Sequence, residues 1–267
     1  MTTILALDAA WTTTQPTGVA LAAARESGWQ IVAVAPSYDA FVELAAGTPV
    51  DWNQRRFTGS APSVPALLSA AESLAGSAVD LVTIDMPVST VSICGRRAAD
   101  NVVSREFGDR GCATHSPSAT RPGPLGEALS AGFDAAGFPV AGANVRVATT
   151  RHLLEVYPHP ALLVLLDSEY RIQYKVAKAR RYWAGKSRSE RVVALLQEFA
   201  RIHDALEETF GPLGVPLPAA EDGGSLSGLK RYEDALDAVV CAWVGVRYLE
   251  GAARALGDDT AAIWCPC

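Results

Sequence analysis

Four aspartates sit where a folded chain could gather them. Asp8 closes the apolar run Thr3-Ile-Leu-Ala-Leu, and Asp85 closes Val79-Asp-Leu-Val-Thr-Ile. Asp234 and Asp237 lie three residues apart in Tyr232-Glu-Asp-Ala-Leu-Asp-Ala-Val-Val-Cys-Ala-Trp243, a spacing that puts both on one helical face. A carboxylate at the end of a buried strand is costly to desolvate unless a cation or a proton meets it. Several at one sheet edge repel one another, and Mg²⁺ or Mn²⁺ is the counter-charge that oxygen-only ligands favour. Such ions suit in-line displacement at phosphorus, activating water and stabilising the leaving oxygen. Plainer readings stand beside this one. Asp8 and Asp85 can serve turns, and Asp234 can serve the start of its helix. Asp237, deeper in the helix among apolar neighbours, fits the ligand role best.

The elements that must position these acids follow from periodicity. Ile4, Ala6 and Asp8 share one face of the first strand, because side chains alternate. Pro16-Thr-Gly18 turns the chain into Val19-Ala-Leu-Ala, and Gly28 precedes Trp29-Gln-Ile-Val-Ala-Val34, so three strands form an antiparallel meander. Helices over about 38–46 and 62–74 form a crossover, which makes the Asp85 strand parallel to one of the first three. From Val88 to Gly123 periodicity disappears in favour of Arg, Ser, Gly and Pro, the pattern of a long functional loop.

Leu125 to Ala136 reads as a helix. Leu153-Leu-Glu-Val-Tyr-Pro158 reads as a strand interrupted by Glu155, followed by a short helix from Ala161 to Leu166. Ser189 to Phe210 is an amphipathic helix. Gly211 to Gly228 is a breaker-rich linker before the Asp234/Asp237 helix, whose acidic face continues in small residues at Ala238, Cys241 and Gly245. Ala261-Ala-Ile-Trp264 is a candidate edge strand. The expected α/β architecture is a single domain over 1–267: a mixed five-stranded sheet, three antiparallel strands then parallel ones, flanked by helices. Inserts fall at about 88–150 and 167–228.

Composition narrows the setting. A chain of 267 residues with 49% hydrophobic and 19% charged residues is globular in type, not disordered. No apolar run is long enough to span a bilayer, and five scattered cysteines form no disulfide framework, so a cytoplasmic protein without membrane association is expected. Net charge is −6, yet Arg171 to Arg191 alone carries eight basic residues against one acid. That stretch is a candidate phosphate-facing patch, with Lys175, Lys178, Arg180, Arg181 and Lys186 as nucleic-acid contacts, or else a solvated face. Arg96, Arg97, Arg105, Arg110 and Arg121 in the loop-like segment suit a phosphate-gripping lid, and His115 among them can move a proton.

The acidic constellation resembles the ribonuclease H-like (retroviral-integrase-like) superfamily. More narrowly, the chain resembles the predicted nucleases grouped as domain of unknown function 429. The resemblance rests on Leu7-Asp-Ala-Ala-Trp-Thr with Gln15-Pro-Thr-Gly-Val-Ala, then Ile84-Asp-Met-Pro, Glu155-Val-Tyr-Pro and Asp234-Ala-Leu-Asp-Ala. Ser104-Arg-Glu-Phe and Thr114-His-Ser-Pro-Ser add weaker matches, and all run in order along nearly the whole chain. It implies a ribonuclease H-like fold and a Mg²⁺- or Mn²⁺-dependent nuclease acting on DNA or RNA. Asp8, Asp85 and Asp237 would be metal ligands, with Asp234 and Glu155 completing the catalytic set.

Two other classes remain open at this point. An ATP-binding phosphotransferase of the actin and sugar-kinase class shares the opening Asp-hairpin, with Thr12 to Thr14 and Gly18 as a phosphate loop. Against it, Asp222-Gly-Gly224-Ser lacks the strand that a second phosphate loop would need. A non-catalytic scaffold binding nucleic acid or protein is the third.

Overall fold

The computed structural model describes residues 1–53, 57–218 and 226–267. The Asp222-Gly-Gly224-Ser stretch and part of the expected 211–228 linker lie outside them. Strands β1 (Thr3–Asp8), β2 (Gly18–Arg25) and β3 (Gly28–Ala35) form the antiparallel meander. Helices α1 (Tyr38–Ala45) and α2 (Val64–Ala75) return the chain to β4 (Leu81–Ile84), which lies parallel to β1. Ser37 and Ser63 cap these helices by accepting from the backbone N–H groups of Ala40 and Ala66. After α3 (Ala98–Phe107) and α4 (Pro124–Ala135), β5 (Leu153–Val156) adds parallel to β4. Then come α5 (Pro158–Leu165), a short 3₁₀ turn (Val176–Lys178), α6 (Ala179–Tyr182), α7 (Arg188–Phe210) and α8 (Leu226–Leu249). The last strands are β6 (Ala253–Gly257) and β7 (Ala262–Pro266).

The sheet has seven strands in the order β3-β2-β1-β4-β5-β7-β6, which corrects the expected five. The Ala261–Trp264 run is not an edge. As β7 it pairs parallel with β5 and antiparallel with β6, so β6 forms the rim. Asp258 makes this hairpin, its Oδ1 accepting from the N–H groups of Thr260 and Ala261. The Val88–Gly123 segment is also not structureless. It holds α3, which opens where Asp100 Oδ2 accepts from the Arg97 N–H at 2.9 Å. No helix among the described residues is long and apolar enough to cross a membrane.

Alternation on the strands sorts two cores. Ile4, Ala6, Ala20, Ala22, Leu81, Leu154 and Val156 face α8 and α7. Leu5, Leu7, Val19, Leu21, Val82, Ile84 and Leu153 face α1, α2 and α4. Helix α8 packs against β1 and β2 at very short range. A Cβ on Gly18 would lie 2.0 Å from the backbone oxygen of Asp234, and one on Gly245 would lie 3.0 Å from the side chains of Ile4 and Thr83. Small residues on both elements therefore set how close Asp234 and Asp237 come to the ends of β1 and β4.

Gly18→Ala should force two backbones apart and cost about 2–3 kcal/mol in denaturant unfolding. Gly245→Ala should stay within about 1 kcal/mol, because side-chain crowding is offset by better helix propensity. Equal losses at the two positions would contradict the backbone-contact account.

Candidate metal centre

The end of β1 carries Asp8 on the same face as Ile4 and Ala6, towards α8. One residue beyond β4, Asp85 keeps the parity of Leu81 and Thr83 and faces the same way. Its backbone N–H donates to Leu7 O at 2.9 Å, so the two acids extend neighbouring strands. From α8, Asp234 and Asp237 complete the approach. One oxygen each from Asp8, Asp234 and Asp237 lies within 4.8 Å of the others. Asp85 stands beside this trio and shares the wall of a cavity of about 600 Å³ with Asp8, Asp234, Trp11, His115 and Arg121.

Two lysines already enter the cluster. The Lys175 ammonium donates to Asp237 Oδ2 and lies 3.4 Å from Glu233 Oε1. Lys230 donates to Asp234 Oδ1 and, at 2.9 Å, to Glu233 Oε1. Tyr174 donates its hydroxyl to Asp237 Oδ1 at 2.5 Å, and the Val176 N–H donates to Glu233 Oε2 at 2.6 Å. Glu233 is thus committed to cations and backbone, whereas the carboxylates of Asp8 and Asp85 accept no hydrogen bond among the described residues. Five carboxylates against two ammonium groups leave a formal charge of −3, and a divalent ion fits that deficit.

Proton affinities follow this geometry. Burial, then the charges of Asp237 and Asp234, hold Asp8 well above the usual carboxylate range. Burial pushes Asp85 up to about 7 against the opposing pull of Lys175. Asp234 rises to about 6, again through burial, with Lys230 pulling the other way. Asp237 also rises through burial, opposed chiefly by Lys175. For Lys175, burial alone would lower the pKa, but Asp237 and its neighbours more than reverse it.

Glu155 goes elsewhere. It is paired in register with Ile84, on the face opposite α8. There it accepts from Arg97 Nη1 at 2.5 Å and Nη2 at 2.6 Å, and from the Val88 N–H at 3.0 Å. Arg97 is nearly buried and is also held by Asp100, so it is an internal strut and not a nucleic-acid contact. Arg96 likewise braces its own segment through Asn101, Ser116 and the Asp100 carbonyl.

The basic stretch divides. Lys175 points into the acids, Lys178 and Arg181 line a second cavity, and Arg180 borders a largely apolar groove with Arg188 and Arg191. Arg105 and Lys186 are exposed. Glu233, Lys230 and Tyr174 escaped the sequence reading. The spacing Lys230, Glu233, Asp234, Asp237 on one helix would have disclosed the first two.

The chain belongs to the family described as protein of unknown function (DUF429), whose model matches residues 14–262. Asp8 precedes that span. No curated protein and no solved structure matches the chain.

A carboxyl whose pKa is higher folded than unfolded binds more protons when folded, so stability falls as pH rises from about 4 towards 7. Asp8 is raised in the same direction, so in EDTA at pH 8 Asp8→Asn should stabilise the protein in thermal melts, and the gain should vanish near pH 4. A destabilised variant at pH 8 would refute the electrostatic reading. Glu155→Gln should cost about 3 kcal/mol by weakening a buried ion pair, while Mn²⁺ affinity by calorimetry stays within about threefold of wild type. Collapse of ion binding would make Glu155 a ligand after all.

Proposed function

We propose that the protein is a metal-dependent nuclease that hydrolyses phosphodiester bonds of DNA or RNA. The observation that carries this reading is the convergence of Asp8, Asp234 and Asp237 within one ion's reach, with Asp85 alongside, at the end of parallel neighbours β1 and β4. The strand order β3-β2-β1-β4-β5, three antiparallel strands followed by parallel ones, supports the ribonuclease H-like fold that the sequence resemblance implies.

Asp8, Asp234 and Asp237 fit Mg²⁺ or Mn²⁺: all donors are hard oxygens, and Asp8 has no competing hydrogen-bond donor among the described residues. A divalent ion bound there would polarise a phosphoryl oxygen and make water a better nucleophile. The chain's own groups would do the rest. Asp85, on the wall of the same cavity, can take the proton of an attacking water or return one to the leaving oxygen. His115 and Arg121 line the same cavity as the acids and would face the phosphate. Trp11, with the Arg121 guanidinium 5.7 Å from its ring centre, offers a surface on which a base can stack. Lys175 and Lys230 neutralise the acids until a stronger cation arrives, then would be free to grip the strand.

Purified protein should cut single-stranded or duplex nucleic acid with Mg²⁺ or Mn²⁺ and stop in EDTA. Asp8→Asn and Asp237→Asn, purified identically, should lose activity on the order of a hundredfold or more. Equal cleavage by wild type and both variants would trace the activity to a contaminant and leave a binding scaffold as the better reading.

A further inference from the structure

A second cavity, about 360 Å³, opens between the turn at Gly111 and the chain from Tyr170 to Tyr182. Its polar wall is cationic: Arg171, Lys178 and Arg181, with Gln173 and Tyr182 beside them. Among the described residues no carboxylate lies within 4.0 Å of any of these three cations. Glu233, the acid that acts on Lys178 from farther off, is already held by Lys175, Lys230 and the Val176 N–H.

Arg171 is fixed in place. It donates through Nη1 to the Gly111 carbonyl at 3.2 Å and through Nη2 to Nε2 of His159. Burial and the surrounding cations hold His159 well below its ordinary pKa, so the ring is neutral and accepts that bond. Behind the cavity wall Arg171 also meets the buried Tyr182 hydroxyl, a contact that opposes the upward push of burial on that phenol. The three cations lack a carboxylate partner and repel one another across the cavity. Bound phosphate oxygens would relieve that repulsion.

We propose that Arg171, Lys178 and Arg181 form an anion site, distinct from the carboxylate cluster, that takes the phosphate group of a nucleotide or of a nucleic-acid terminus. The cavity exceeds a bare phosphate and has room for the attached nucleoside. Tyr170, 58% exposed and packed over Gly111, is the aromatic wall against which a base would lie. Arg171 and Lys178 also line a passage shared with Asp85 and Glu233, so a strand anchored here can run into the acidic cleft. The site stands without the nuclease reading, because its ligand binds whether or not the acids catalyse.

The test is fluorescence anisotropy in EDTA, where no cleavage intrudes, with a 3′-labelled short DNA strand bearing a 5′-phosphate or a 5′-hydroxyl. Adenosine monophosphate and inorganic phosphate serve as competitors. The phosphorylated strand should bind about tenfold tighter, the worth of one charge-assisted contact. Lys178→Ala/Arg181→Ala should abolish that preference, as should exposed Arg181→Ala in part. Arg188→Ala/Arg191→Ala removes two charges from the same basic stretch but outside the cavity, and should preserve it. Competition by adenosine monophosphate without any terminal preference would assign the site to free nucleotides. Equal losses in both double variants, with no competition by either small anion, would overturn the proposal.

Discussion

The cost of holding like charges together in a partly dehydrated place governs this structure. Five carboxylates meet at the ends of β1, β4 and the face of α8, and two ammonium groups lie among them. Such a cluster survives only where the scaffold is rigid enough to impose it. Rigidity comes from backbone contact: Gly18 against Asp234, and Gly245 against Ile4 and Thr83, let α8 lie closer to the sheet than side chains normally allow. A sheet held between two apolar cores then leaves its acidic end no freedom to spread.

Much of this was legible from sequence because it depends on short-range rules. Alternation placed Asp8 with Ile4 and Ala6, and the three-residue spacing placed Asp234 with Asp237. The small residues at Ala238, Cys241 and Gly245 foretold the close packing of α8. Glu155 shows where such reading stopped. Its parity on β5, opposite to Leu154 and Val156, already pointed it away from the other acids, but register with β4 was needed to fix which face was which. Strand β6 was missed because Ala253-Arg-Ala-Leu-Gly257 follows directly on a helix and alternates weakly. Helix α3 was missed because its apolar face is narrow. The basic stretch reads as one patch in sequence, yet folding sends its members to the acids, to a cavity and to open surface.

The resulting cleft carries both signs of charge. Asp8, Asp85 and Asp234 line it together with Lys175, Lys230 and Arg121, and Arg171 and Lys178 line its continuation. A divalent ion answers the acids and a phosphate ester the cations, which is why the proposed chemistry suits the site better than binding of either partner singly. Lys175 and Lys230 keep the ion-free form foldable, since without them −5 would be confined there.

The most direct measurement is anomalous diffraction from crystals soaked in Mn²⁺. The account predicts a peak about 2.1 Å from oxygens of Asp8, Asp234 and Asp237, with the Lys175 and Lys230 ammonium groups moved off Asp237 and Asp234. Absence of any peak there at saturating Mn²⁺, or a peak only at the His203, Asp204 and Glu207 group, would contradict it.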